Sequence, residues 1–144
     1  MRVKSILNQV EKYKDFVYER VRWKGEGRGR ALEVEVRARA HRPGRCSRCG
    51  EPGPGYDTLP AREFEYVPLW GMRVYFLYAL RRVHCARCGV KVEAVPWGQG
   101  KQTLTQSYMQ FLATWARRLS WQEVARFFHT SWEQVFRSVC WQVE

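Results

Sequence analysis

Two short segments constrain this chain more than any other feature: Cys46-Ser-Arg-Cys49-Gly50 and Cys85-Ala-Arg-Cys88-Gly89. In each, two residues separate the cysteines, so both sulfurs can point at one centre from a tight knuckle. The glycine that follows lets the backbone turn so that amide N–H groups face the sulfurs. Two knuckles supply four thiolates, which is the closed tetrahedral set of a structural zinc ion. No coordination position is left for water, so the ion is expected to be structural and not catalytic. Disulfides and a redox dithiol are the alternatives. The odd cysteine count and a polar N-terminus with no apolar signal core weigh against disulfides, and a redox dithiol needs one pair, not two. We expect one zinc ion on Cys46, Cys49, Cys85 and Cys88, with Cys140 as a small packing residue.

Residues 50–84 separate the knuckles, a longer gap than the ~15–20 residues of a compact ribbon. The pattern supplies the reason. Residues 62–67 and 72–83 read as two strands joined across Pro68-Leu-Trp-Gly71, a hairpin that goes out and returns. Upstream, residues 3–14 place apolar groups at helical spacing. Residues 16–23 look extended, Lys24–Arg30 holds three glycines suited to a hairpin loop, and residues 31–40 alternate apolar and polar. The Glu51–Gly55 segment reads as turn. A short strand over 90–95 ends at Pro96-Trp-Gly-Gln-Gly100, taken as a domain boundary.

Beyond Lys101 the apolar period lengthens from two to 3.6. Leu104, Tyr108, Phe111, Leu112, Trp115 and Leu119 form one helical stripe. Ser120-Trp-Gln-Glu123 and Ser131-Trp-Glu-Gln134 are capping boxes opening two further helices, separated by His129-Thr-Ser131. A short helix, a turn and a capped second helix form a helix-turn-helix candidate, with an ordinary helical hairpin as the alternative. With Trp132, Val135, Phe136 and Val139 inward, the last helix would present Glu133, Gln134, Arg137 and Ser138, behind its cap Ser131, to base edges. The expected fold class is therefore α+β: a β-rich four-cysteine zinc-finger domain over 1–96, a linker over 97–102 and a three-helix helix-turn-helix domain over 103–144.

Charge points to a partner. The 144 residues carry 25 Lys and Arg against 14 Asp and Glu, a net +11. Four thiolates on zinc would lower this to about +9. Such a chain is drawn to phosphate, and an excess of Arg over Lys suits bidentate phosphate and guanine contacts. Lys101, Arg117, Arg118 and Arg126 are candidate phosphate contacts. Arg45, Arg48, Arg82 and Arg87 are the corresponding candidates around the knuckles. Any one of them is equally compatible with a solvated surface charge. No run has the ~18 apolar residues of a spanning helix. The expectation is a soluble, cytoplasmic, nucleoid-associated protein with double-stranded DNA as partner, some capacity for self-association, no membrane and no small-molecule substrate.

One family carries these features in this order. The two Cys-x-x-Cys-Gly knuckles, Val74-Tyr-Phe-Leu-Tyr leading to Arg81-Arg-Val-His-Cys85, Glu93-Ala-Val-Pro-Trp97, Leu119-Ser-Trp121 and Thr130-Ser-Trp132-Glu-Gln-Val135 resemble the bacterial insertion-sequence transposases of the ISL-three type. The match spans roughly residues 32–141. The resemblance implies that this region recognises the terminal inverted repeats of a mobile element, with the four cysteines ligating zinc. In that family strand transfer uses acidic residues on a ribonuclease-H-like domain, and none of the 14 acidic residues here can be assigned as a catalytic carboxylate. The chain is thus expected to be the DNA-binding portion of a transposase, truncated or a remnant, and not itself an enzyme. The alternatives are an active transposase completed by a downstream or partner catalytic domain, and a zinc-ribbon module for RNA or protein whose aromatic strand 72–83 offers stacking platforms.

Overall fold

Alternation of apolar and polar residues builds the larger sheet. The computed structural model describes residues 2–144. After helix α1 (Val3–Val10), strands β1 (Phe16–Lys24) and β2 (Ala31–Ala38) pair antiparallel around the glycine-rich loop. Strands β4 (Arg62–Leu69) and β5 (Met72–Tyr78) form the expected hairpin. The hairpin is not a free excursion. β5 lies parallel to β2, giving a four-stranded sheet in the order β1-β2-β5-β4. One face carries Tyr18, Leu32, Val34, Val36, Phe64, Val74, Phe76 and Tyr78 into a common core, which Leu7 of α1 helps to cover.

The strand expected over 72–83 divides. It breaks at Ala79-Leu80, and its second half becomes β6 (Arg81–Cys85) of a separate three-stranded sheet. In that sheet β6 lies between β3 (Gly55–Thr58) and β7 (Gly89–Val92). The break has a packing cause: Val74, Phe76, Tyr78 and Leu80 belong to the large core, whereas Val83 and Cys85 pack with Cys46 in a small one. β3 starts at Gly55, the last residue of the segment read as turn, and runs on through residues to which the sequence pattern assigned no element. All four of its residues are exposed, so no buried face marks it in the sequence.

The segment taken as a linker starts inside the core. Trp97 is 1% exposed, with ring centroids of Phe16, Tyr78, Tyr13, Phe64 and Phe76 within 4.9–6.3 Å of its own. A few residues on, the amide of Glu65 donates to the Thr103 carbonyl and that of Thr105 to the Glu65 carbonyl, so residues 103–105 cover the outer edge of β4. The helical segment is thereby hydrogen-bonded to the sheet.

Three helices follow: α2 (Gln106–Trp115), α3 (Trp121–Phe127) and α4 (Trp132–Val143). Thr105, Ser120 and Ser131 each cap one of them by accepting the amide N–H three residues on. Leu104, Tyr108, Met109, Leu112, Val124, Ala125 and Val135 form their shared core. Between α3 and α4 the chain turns through His129 at φ 54°, and the Thr130 amide reaches back to the Ala125 carbonyl. This is a Schellman closure with histidine where glycine is usual. Among the described residues no helix is long and apolar enough to cross a membrane.

Candidate metal centre and basic surface

The two knuckles share one local geometry. Gly50 has φ 78° and Gly89 has φ 79°, the left-handed conformation that closes each turn. The Gly50 amide donates to the Cys46 carbonyl and the Arg48 amide approaches the Cys46 sulfur at 3.4 Å. β6 and β7 carry the second knuckle between them, and a bridge between Cys46 and Glu93 docks the first beside it.

The result is one cluster. The four sulfurs of Cys46, Cys49, Cys85 and Cys88 all lie within 4.8 Å of one another. Thiolates bound about 2.3 Å from a common tetrahedral centre would be about 3.8 Å apart. Cys49 and Cys85 are 3.5 Å apart, far beyond a disulfide bond of about 2.05 Å, and all five cysteines are free thiols. The four cysteines are placed to hold a metal ion. Cys46 and Cys85 are buried. The expected ligand set is brought together, and Cys140 lies apart from it on α4.

Electrostatics inside the cluster favours a cation. The Cys88 and Arg87 amides draw the Cys85 thiol down to about 7. Cys46 is lowered too, chiefly by the Cys49 amide. Burial, then the neighbouring sulfurs, push Cys88 up to about 12. For Cys49 the Glu51 amide acts downward, but the Cys85 sulfur, desolvation and the Cys46 sulfur outweigh it and hold the thiol up. Some sulfurs are thus poised to ionise while the others must stay protonated. A central cation removes that conflict.

Sequence reasoning missed the support behind the first knuckle. Glu93 is buried and accepts from the Tyr78 hydroxyl, the Arg81 amide and the Arg81 guanidinium. Arg81 also donates to the Arg42 carbonyl, and the Ala94 amide to the Arg45 carbonyl. Gly44 sits against this group: a Cβ there would lie 2.7 Å from Val83 Cγ1 and 3.2 Å from Glu93 Oε2. Part of the signal was available, since Glu93 is an acid in a short apolar strand; that Arg81 begins a separate strand beside it was not.

The cations differ in their partners. On the larger sheet they face acids: Arg22 with Glu33 and Glu35, Arg37 with Glu19, Lys24 with Glu63 and Arg73 with Glu65. By contrast Arg45, Arg48, Arg87, Lys101, Arg117, Arg118, Arg126 and Arg137 are exposed and form no ion pair among the described residues. Arg82 departs from expectation. Its guanidinium grips Asp57 with two nitrogens and lies over the Tyr56 ring, so it is not free for phosphate. Exposed positive charge also lies outside the knuckles and the helical segment, with Arg28 and Arg30 in the β1–β2 loop.

The phase of α4 differs from the expected one as well. Ser138 is fully buried and its hydroxyl donates to the Gln134 carbonyl, so it faces the core and not a partner. Gln134 donates through Nε2 to Thr103 Oγ1, and its Oε1 is buried without a partner among the described residues. Ser131 accepts the Gln134 amide as cap. Glu133 and Arg137 remain exposed. Trp132 and Phe136, expected inward, are 47% and 41% exposed and stack on one another. Within strand 72–83, Phe76 and Tyr78 are buried in the core, while Tyr75 on the opposite face is half-buried beneath the Lys24 ammonium.

Comparison with protein-family models, curated proteins and solved structures finds no match to this chain.

Proposed function

We propose that this chain is a zinc-stabilised DNA-binding module of the kind found in insertion-sequence transposases, with helix-turn-helix geometry over α2–α4. The observation that carries the reading is the set of exposed, unpaired cations around the cysteine cluster and on the helical segment. Acids neutralise the sheet, while eight exposed cations around the cysteine cluster and on the helical segment have no acid partner among the described residues. A surface of unpaired arginines is suited to phosphate. Zinc is the metal assigned, because four thiolates in a closed set match its preference.

The capped α3–turn–α4 unit supports the rest. Glu133 and Arg137 lie exposed on the first two turns of α4, where a recognition helix meets base edges. Arg137 would pair with guanine. Gln134 and Ser138 are assigned no part in reading bases.

The test is competition binding with the metal-loaded protein. Arg137→Ala should relax preference between duplex sequences, whereas Lys101→Ala should weaken binding to every duplex alike. Equal loss at all sequences for both variants would remove the sequence-reading role of α4. Preference for single-stranded RNA over duplex DNA would favour an RNA module instead.

A further inference from the structure

The hairpin between β4 and β5 ends in Trp70-Gly71, flanked by the paired residues Leu69 and Met72. Both turn residues have positive φ, 50° at Trp70 and 76° at Gly71. This is the pattern of a type I′ loop, whose first position favours Asn, Asp or Gly. A bulky side chain there is strained, and at 80% exposure the indole gains almost no burial in return. Two unfavourable features at one residue point to a contact outside the chain.

The surroundings indicate what kind. β5 runs parallel to β2, with Leu32 opposite Val74, so the β1–β2 loop emerges at the same end of the sheet. That loop carries Arg28 and Arg30, exposed and without ion pairs among the described residues. The Arg30 guanidinium lies 4.0 Å from the centroid of Trp23, itself half exposed. Beside the Trp70 turn, Arg73 donates to the His129 carbonyl, which brings the α3–α4 turn to this end too. One end of the sheet therefore presents an exposed indole, a second indole with an arginine stacked on it and a free guanidinium, close to the start of α4.

We propose that Trp70 is a wedge that stacks on DNA bases next to the groove entered by α4, with Arg28 and Arg30 on the flanking phosphates. The proposal rests on the DNA-binding reading above. Apolar side chains inserted at a base step unstack it and bend the duplex, and nearby arginines favour the groove so distorted. Phosphate and bases together use both kinds of side chain at this end, the guanidinium groups and the ring faces.

The experiment compares the full metal-loaded chain with Trp70→Asn and with Arg28→Ala/Arg30→Ala. Asn-Gly is the favoured I′ pair, so Trp70→Asn should fold at least as well as the parent, which thermal unfolding checks. Its affinity for duplex DNA should fall about tenfold, with less bending by energy transfer between end-labelled duplex termini and an unchanged salt slope. The double arginine variant should lose up to about two units of salt slope. Full affinity and bending in Trp70→Asn, while Lys101→Ala still weakens binding, would overturn the wedge and leave the DNA reading standing. Absence of duplex binding by the parent would overturn both. Trp70-dependent binding to phosphatidylserine vesicles without duplex binding would assign the tip to an anionic bilayer instead.

Discussion

Replacing Glu93 with Gln should destabilise the chain by about 3 kcal/mol, although the two side chains have nearly the same shape. Glu93 is 3% exposed and takes hydrogen bonds from Tyr78, the Arg81 amide and the Arg81 guanidinium, with Arg81 Nη2 at 2.8 Å. The Arg81 side chain is 25% exposed. Removing one member of a buried ion pair costs about 3–5 kcal/mol, because the other is left charged and desolvated. Partial exposure of Arg81 lets water offset some of that, which puts the expectation at the lower end. Gln retains an acceptor oxygen for one donor but turns an N–H₂ toward a guanidinium that can only donate. Urea unfolding of the metal-loaded protein measures the effect. Tyr78→Phe, which deletes one hydrogen bond, should lose about 1 kcal/mol. Since the Glu93 backbone forms a β-bridge with Cys46 and its carboxylate fixes that backbone on Arg81 and Tyr78, Glu93→Gln should also release metal faster to a chelator. A loss below about 0.5 kcal/mol in Glu93→Gln, with metal release unchanged, would refute the idea that this buried acid holds the first knuckle in place.

Three further outcomes follow from the geometry. His129 has φ 54° at a helix C-terminus, so His129→Gly should raise unfolding free energy by about 1 kcal/mol, and a destabilised variant would show that the imidazole makes a contact worth more than the strain. Gly44→Ala places a methyl 2.7 Å from Val83 Cγ1 and should lose about 1–3 kcal/mol by overpacking, read by thermal unfolding and contradicted by an unchanged midpoint. Metal affinity should rise with pH through about 7, where the Cys85 thiol gives up its proton, and go on rising above it, because binding needs thiolates and burial and the neighbouring sulfurs hold Cys88 up to about 12. The sign is fixed: protons compete for the ligand atoms, so affinity is lost as pH falls, and a pH-independent affinity in a competition titration would exclude thiolate ligation.

Much of the fold follows from local pattern. The knuckles, the β1–β2 and β4–β5 hairpins and the serine-capped helices each depend on residues close in sequence, so spacing alone locates them. The division of strand 72–83 shows only in burial, since residues 74–80 are apolar throughout. Its buried positions are even through Leu80 and odd at Val83 and Cys85, a change of phase that a single straight strand cannot have. The parallel pairing of β2 with β5 has no such local mark, since it joins segments about forty residues apart. Trp97 was misjudged because Pro and Gly neighbours suggest a linker, whereas its ring is the largest group available to fill the core. The phase of α4 departs from the pattern because Trp132 and Phe136 are large and apolar and Ser138 is polar, whereas the buried positions are Val135 and Ser138. Small residues line the inner face because α2 and α3 lie close against it. Arg82 could not be separated from the free arginines, as Asp57 reaches it only through β3.

The salt dependence of duplex binding tests the central claim most directly. At about 0.9 counterions released per phosphate contacted, engagement of half of the eight exposed cations around the cysteine cluster and on the helical segment predicts a slope of about −3.6 for log affinity against log salt. The account predicts a linear fall of that steepness for the metal-loaded chain. An affinity independent of salt, or no duplex binding at low salt, would contradict it.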